Sequence, residues 1–208
     1  MHMSIGVVLF PDFEILDAFG PIEMLGMHPE SFRLRMVAEA PGMVSSVQGP
    51  KCLAEDAFDD DVAYDAVLVP GGQGTRREVN NRSMIEWLRR RAVQAQFVTS
   101  VCTGAALLAK AGVLDGRKAT TNKMSFDWVA SQGPNVLWQH EARWVEDGSI
   151  FTSSGVSAGM DMALAFISRT LGETAAEDAA LWAEYTRHRD AAVDPFAQEW
   201  RTRREERG

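Results

Sequence analysis

Residues 5–10 and 66–69 are apolar without a break, and residues 97–101 carry no charge. A strand with one face in water alternates polar and apolar side chains. These runs do not, so they read as strands covered on both faces, the situation of a parallel sheet held between layers of helix. Between them, Ile15, Leu16, Phe19, Ile22 and Leu25 recur near helical spacing, as do Met84, Ile85, Leu88 and Val93, and later Met160, Leu164, Phe166 and Ile167. Alternating strand and helix with no internal repeat or linker predicts one α/β domain over residues 1–200: a three-layer sandwich whose mostly parallel central sheet has helices on both faces. The charged segment 201–208 is expected to fray.

Finer expectations follow from local signals. Gly20-Pro21 implies that the first helix stops and restarts. Residues 32–39 read as a strand, and the turn-rich stretch 41–50 as a hairpin or loop, with Cys52 after it. Arg89, Arg90 and Arg91 form the solvated face of a helix rather than an anion site. A short helix holds Phe126, Trp128 and Val129, Asp147-Gly148 is a hairpin turn, and His140-Glu141 begins a strand. Ser157 is placed to cap a helix over 158–171, and a last helix spans about 175–185.

The chain has 208 residues, enough to bury roughly 70% of its unfolded surface without a staple. A formal charge of −8 argues against nucleic acid or an anionic membrane as partner, since both demand basic surface, and favours a small neutral substrate. Only Cys52 and Cys102 are present, which excludes a disulfide scaffold and an all-cysteine metal site and fits a cytoplasmic setting, with a single disulfide left open. The N-terminal residues enter a short strand with no basic, apolar and processing regions before it, and no run of 18 apolar residues occurs.

Three strands end in residues with chemical potential: Phe10-Pro11 followed by Asp17, Val69-Pro70-Gly71-Gly72, and Val101-Cys102-Thr103. Ligands of open α/β sheets gather at such carboxyl ends, so their convergence would make a site. Cys102 sits where a strand breaks into the small-residue helix 104–109, a junction that presents a thiol to substrate with backbone amides pointing at what it attacks. Its plainer reading is a small buried hydrophobe. The turn at Gly71-Gly72 would aim amides into the crevice, and the Gly72 and Thr103 amides together would stabilise developing negative charge. Asp17, in an apolar setting, either caps a helix, faces water, or carries a proton beside the thiol, with Glu14 as the competing carboxylate. His2 is terminal, His28 lies beside Pro29 and His188 in a charged region, so only His140 is left for a Cys-His-Asp arrangement, and the four histidines form no closely spaced metal pair. No dinucleotide or P-loop fingerprint is present.

In these residues the chain resembles the DJ-1/PfpI (ThiJ) superfamily, and within it the isocyanide hydratase branch. The match runs through residues 6–10 with Pro11, Leu16-Asp17 and Gly20-Pro21, 70–74, 98–104, 119–121, Gly155 with 158–161, and Glu184-Tyr185 followed by Pro195-Phe196. The resemblance implies a flavodoxin-like sandwich akin to the class I glutamine amidotransferases. It implies Cys102 as nucleophile, Asp17 as the carboxylate hydrogen-bonded near its sulfur, Thr103 as a second polar contact, and a homodimer. Protease-like and glyoxalase-like relatives place histidine directly after the cysteine; Thr103 stands there in this chain. Asn122 follows Thr120-Thr121 where relatives often have histidine.

The implied reaction takes a small organic isocyanide and water to an N-substituted formamide, with no cofactor or metal. Cys102 adds to the terminal carbon, Asp17 delivers a proton, and water then releases the product. Ile15, Leu16 and Phe19 are expected to receive the organic substituent. The competing expectation is a non-enzymatic domain that senses a small molecule or, through Cys102, oxidative stress.

Overall fold

The computed structural model describes residues 2–206. The first apolar run forms β1 (Met3–Val8), and after a turn α1 (Ile15–Gly26) leads into β2 (Phe32–Ala38). The stretch after it is a hairpin, β3 (Gly42–Ser45) paired antiparallel with β4 (Lys51–Ala54), followed by β5 (Asp56–Ala57). The second run is β6 (Ala66–Val69); α2 (Thr75–Glu78) and α3 (Arg82–Gln94) return the chain to β7 (Phe97–Val101) and α4 (Gly104–Lys110). Then come β8 (Lys118–Ala119), α5 (Phe126–Ser131), β9 (Leu137–Trp138), β10 (Trp144–Asp147) and β11 (Ile150–Ser153). Helices α6 (Ala158–Leu171), α7 (Glu173–Trp182) and α8 (Pro195–Glu205) complete the described chain.

The main sheet has seven strands in the order β10-β11-β7-β6-β1-β2-β5, all parallel except β10, which pairs antiparallel with β11. From β1 the chain steps one way to β2, and from β6 it steps the other way to β7. Right-handed crossovers in opposite directions put their helices on opposite faces, so α1, joined by α6 and α7, forms one layer and α2 to α4 the other. This is the three-layer α/β sandwich that the doubly buried strands demand. Phe97, Phe151 and Phe166 meet edge to face where α6 lies on the sheet, and Phe58 stacks on Trp87 at 4.6 Å on the other side.

Several local expectations are corrected. The helix α1 does not restart at Gly20-Pro21 but continues through Pro21. A mid-helix proline costs about 3 kcal/mol. Here the bare backbone at Gly20 and Gly159 lets α1 and α6 close on each other, with Pro21 Cγ within 3.4 Å of where a Gly159 side chain would begin, and that packing holds the helix whole. Ser157 stands before α6 in helical conformation, and its hydroxyl accepts from Arg143 Nη2 at 3.3 Å instead of capping. On α3 the buried stripe is Met84, Trp87 and Leu88, while Val93 is 86% exposed. His140 and Glu141 lie in a bend rather than a strand. Residues 201–205, expected to fray, belong to α8, and 207–208 lie outside the described residues. Among the described residues no helix is long and apolar enough to cross a membrane.

Candidate active site

Four strand ends meet at one place on the sheet. The first three were legible in the sequence; the fourth is β11, whose continuation through Ser154, Gly155 and Val156 turns into α6.

Cys102 occupies the β7–α4 junction with φ of 56°, a left-handed conformation that costs a non-glycine residue roughly 1–2 kcal/mol. The surroundings over-determine it. Its N–H donates to Ser153 O at 3.2 Å and Ser154 O at 3.0 Å, and its carbonyl accepts from Thr121 Oγ1 at 2.7 Å. Next to it, a side chain on Gly104 would begin 2.2 Å from the Val69 carbonyl, so only glycine lets α4 start this close to the end of β6. The thiol is free, as is that of Cys52, so the open disulfide does not form. Cys102 is buried, and burial followed by the nearby Asp17 carboxyl pushes its pKa well up, while the N–H groups of Thr103 and Val156 favour the thiolate.

Asp17 is fully buried on α1. Its Oδ2 accepts from the Gly71 N–H at 2.9 Å, and Oδ1 has no hydrogen-bond partner. Burial raises its pKa to about 8 against the opposing pull of the Gly71 bond, with Glu14 adding a smaller push upward. The Cys102 thiol is near enough to favour the carboxylate, but the contact does not close into a directed hydrogen bond. A carboxyl raised to about 8 can donate a proton near neutral pH, and this one, buried inside α1, neither caps the helix nor faces water. The close approach depends on Gly71: a Cβ there would lie 2.6 Å from both Thr103 N and Thr103 Oγ1 and 2.8 Å from Asp17 Oδ2.

The Gly72 amide is not aimed into the crevice. It donates to Thr103 Oγ1 at 3.0 Å, and that hydroxyl also accepts from Thr75 Oγ1 at 3.1 Å. The Thr103 side chain therefore ties the glycine turn to α2 and α4, while its backbone N–H, with that of Val156, serves the sulfur. Gly72 and Thr103 were expected to aim their amides together; the Gly72 amide is engaged with Thr103 Oγ1, and the N–H groups directed at the sulfur are those of Thr103 and Val156. Val156 has φ of 40°, and nothing in its own residue type signals that role.

Cys102 opens into a cavity of about 110 Å³ lined by Glu14, Val47, Gly72, Gln73, Arg76, Thr103, Asn122, Met124, Ser125 and Val156. The expected pocket residues Ile15, Leu16 and Phe19 are not among them. Asp17 and Ala18 face the sheet, which turns Leu16 and Phe19 outward on α1, each 37% exposed. Asn122 is held by accepting from the Ser125 N–H at 3.0 Å, and Arg76 donates to Ser125 Oγ at 3.1 Å over the Trp128 ring. His140 does not line the cavity; it stacks on Phe126 at 3.7 Å. Cys52 is half-buried on β4 opposite Val44. Among the described residues no group of three or more histidine, cysteine, aspartate or glutamate side chains is arranged to hold a metal ion.

The chain has relatives among known proteins. The model of the DJ-1/PfpI family matches residues 3–169. The chain is 34% identical over 196 residues to an isonitrile hydratase of Pseudomonas putida, covering 94% of this chain and 82% of that protein. It is 30% identical to the HTH-type transcriptional regulator GbdR of Pseudomonas aeruginosa over 81% of this chain, which spans about half, 47%, of the regulator. Among solved structures, a ThiJ/PfpI family protein from Pseudomonas syringae superposes with a TM-score of 0.83 at 29% identity, over 91% of this chain and 77% of the other. With its strained cysteine elbow, its glycine-hinged carboxyl neighbour and this family match over most of its length, the chain belongs to the DJ-1/PfpI family.

Proposed function

We propose that the protein is an isocyanide hydratase, which converts an isocyanide and water to an N-substituted formamide without a cofactor. The observation that carries this reading is the pairing of Cys102 with a buried carboxyl, Asp17, whose pKa of about 8 makes it an acid at neutral pH, in a cavity lined by no histidine. Similarity to an isonitrile hydratase over 94% of the chain supports it.

The terminal carbon of an isocyanide must receive both a nucleophile and a proton. After loss of one proton the Cys102–Asp17 pair shares the other, and the reactive form is the tautomer that carries it on the carboxyl with the sulfur as thiolate. The sulfur attacks the carbon, a C–S bond forms, and the Asp17 proton moves to the same carbon, leaving a thioimidate and a carboxylate. Water adds to the thioimidate carbon while its nitrogen takes up a proton. Collapse expels the thiolate and the hydroxyl proton returns to Asp17, so formamide leaves and the pair is restored. The N–H groups of Thr103 and Val156 stabilise the sulfur each time it carries charge. We also propose a cytoplasmic homodimer, for which the outward pair Leu16 and Phe19 offers an apolar contact.

The test is formamide production from a panel of alkyl and aryl isocyanides by the purified protein and its Cys102→Ala and Cys102→Ser variants. Turnover by the native protein and none by either variant, with both still folded, is the expected result. Full turnover in a variant sinks the covalent route, and no turnover of any isocyanide sinks the hydratase reading. The similarity to GbdR makes small-molecule sensing the reading that would then stand.

A further inference from the structure

A cavity of about 670 Å³ opens where β1 and β2 end, the side of an open α/β sheet on which ligands gather. Small-molecule sites typically span about 300–1,000 Å³, so the volume is of the right order. Its floor is apolar and belongs to the core: Leu9, Phe10, Val44 and Met84 are each no more than 8% exposed. It shares no lining residue with the Cys102 cavity. Three segments nevertheless serve both. Pro11, Val44 and Arg77 line the large cavity, while Glu14, Val47 and Arg76 line the small one.

We propose that this cavity is a second binding site, separate from the thiol, for a small organic cation: an ammonium group carried on an apolar aliphatic or aromatic body. The site stands independently of the hydratase reading.

The charges at the rim select the ligand. Asn81 caps α3 through its side-chain oxygen, which accepts from the Ser83 and Met84 N–H groups at 3.1 and 3.4 Å, and this fixes where its amide nitrogen points. That nitrogen donates to Glu39 Oε2 at 2.9 Å and to Glu78 Oε2 at 2.8 Å, so two carboxylates are held side by side on one amide. Among the described residues Arg77 is the one basic side chain lining the cavity. Its Nε donates to Glu78 Oε1 at 3.0 Å, Nη1 to Asp12 Oδ2 at 3.3 Å and Nη2 to Pro11 O at 2.8 Å. The guanidinium is therefore committed to Glu78 and Asp12, and among the described residues no cation lies within 4 Å of the exposed Glu39. The cavity of about 320 Å³ at the foot of α8 is the opposite case. There Lys123 Nζ donates to Thr120 Oγ1 at 2.8 Å and Ala142 O at 2.6 Å, and Asp194 sits between Lys123 and Arg143 at 3.9 and 3.5 Å, so the charges satisfy one another. At Glu39 the missing charge is positive. An ammonium placed there offsets the repulsion between Glu39 and Glu78, while its apolar body covers the floor.

The test measures, by calorimetry on the full chain at neutral pH, the binding of naphthylethylamine, of its neutral counterpart naphthylethanol and of its anionic counterpart naphthylacetate. The amine is expected to bind at one site about tenfold or more tighter than the alcohol, the scale set by a hydrogen bond to a charged group, and the acid more weakly still. Glu39→Gln should remove most of the preference for amine over alcohol. Ala40→Trp, which fills the cavity from its lining, should weaken both. Both positions are exposed, so both variants are expected to melt as the native chain does. Cys102→Ala should bind the amine with native affinity. Equal affinity for amine and alcohol in the native protein, or no amine binding up to millimolar concentration, overturns the proposal. So does an amine affinity unchanged in both Glu39→Gln and Ala40→Trp, and loss of binding in Cys102→Ala overturns it by placing the ligand at the thiol.

Discussion

At Asp17 the cost and the use of one side chain coincide. A free carboxyl ionises near 3.8, and burial moves this one to about 8. Between those two values the unfolded chain releases a proton that the folded chain keeps, so folding stability falls as pH rises through that window. Asp17→Asn removes the dependence. Its melting temperature should exceed the native value by a margin that grows from pH 5 to pH 8, and a constant margin would show that the carboxyl is not buried in its acid form. The same replacement should lower kcat about 100-fold or more, because the proton donor is gone. In the native protein kcat/KM should climb as pH passes through about 8, where the pair loses its first proton; a flat profile from pH 6 to 10 contradicts the shared-proton route. Cys102 and Asp17 were legible from the chain because each breaks a local pattern, a thiol where a strand stops and an acid inside an apolar helix. Val156 and Asn122 were not. Their place beside the sulfur depends on how two distant loops fold back, and no local signal encodes that.

Single elements obey the same balance between local preference and packing. Glycine within a helix costs about 1 kcal/mol relative to alanine, so propensity alone makes Gly159→Ala a stabilising change in α6. At this position a Cβ would lie 2.9 and 3.0 Å from the two γ-carbons of Val101, directly before Cys102. Overpacking of that kind costs about 1–3 kcal/mol, which outweighs the propensity gain. The denaturation midpoint of Gly159→Ala is therefore expected to fall, and a rise would mean that α6 can yield without cost. The packing that Gly159 permits also explains why Pro21 failed as a stop signal. For α3 the error was one of angle: nine positions beyond Met84, at about 100° per residue, Val93 points away from the sheet, and Trp87 takes the inward position.

For the molecule as a whole, the layer order was readable because doubly apolar strands admit few architectures, and the strand alternation carried through to the observed sheet. The extent of α8 was not readable, since its outward charges look the same in a solvated helix and in a frayed tail. The exposed pair Leu16 and Phe19 yields a prediction at this scale: Leu16→Glu with Phe19→Glu should convert a dimer to a monomer in light-scattering chromatography. A native protein already monomeric at micromolar concentration would remove that assembly. The buried cluster at the foot of α8 has a consequence for the order in which the protein is made. Lys123 is 4% exposed, and among the described residues Asp194 is the only carboxylate within 4 Å of its ammonium. A nascent chain that has delivered residues 1–190 already contains Cys102, Asp17 and the sheet that positions them, yet it would have to enclose that ammonium without its counter-charge. Delivery of Asp194 therefore completes the charge balance of the loop beside the thiol, and a chain cut at residue 190 is expected to hold that loop less firmly than the full chain.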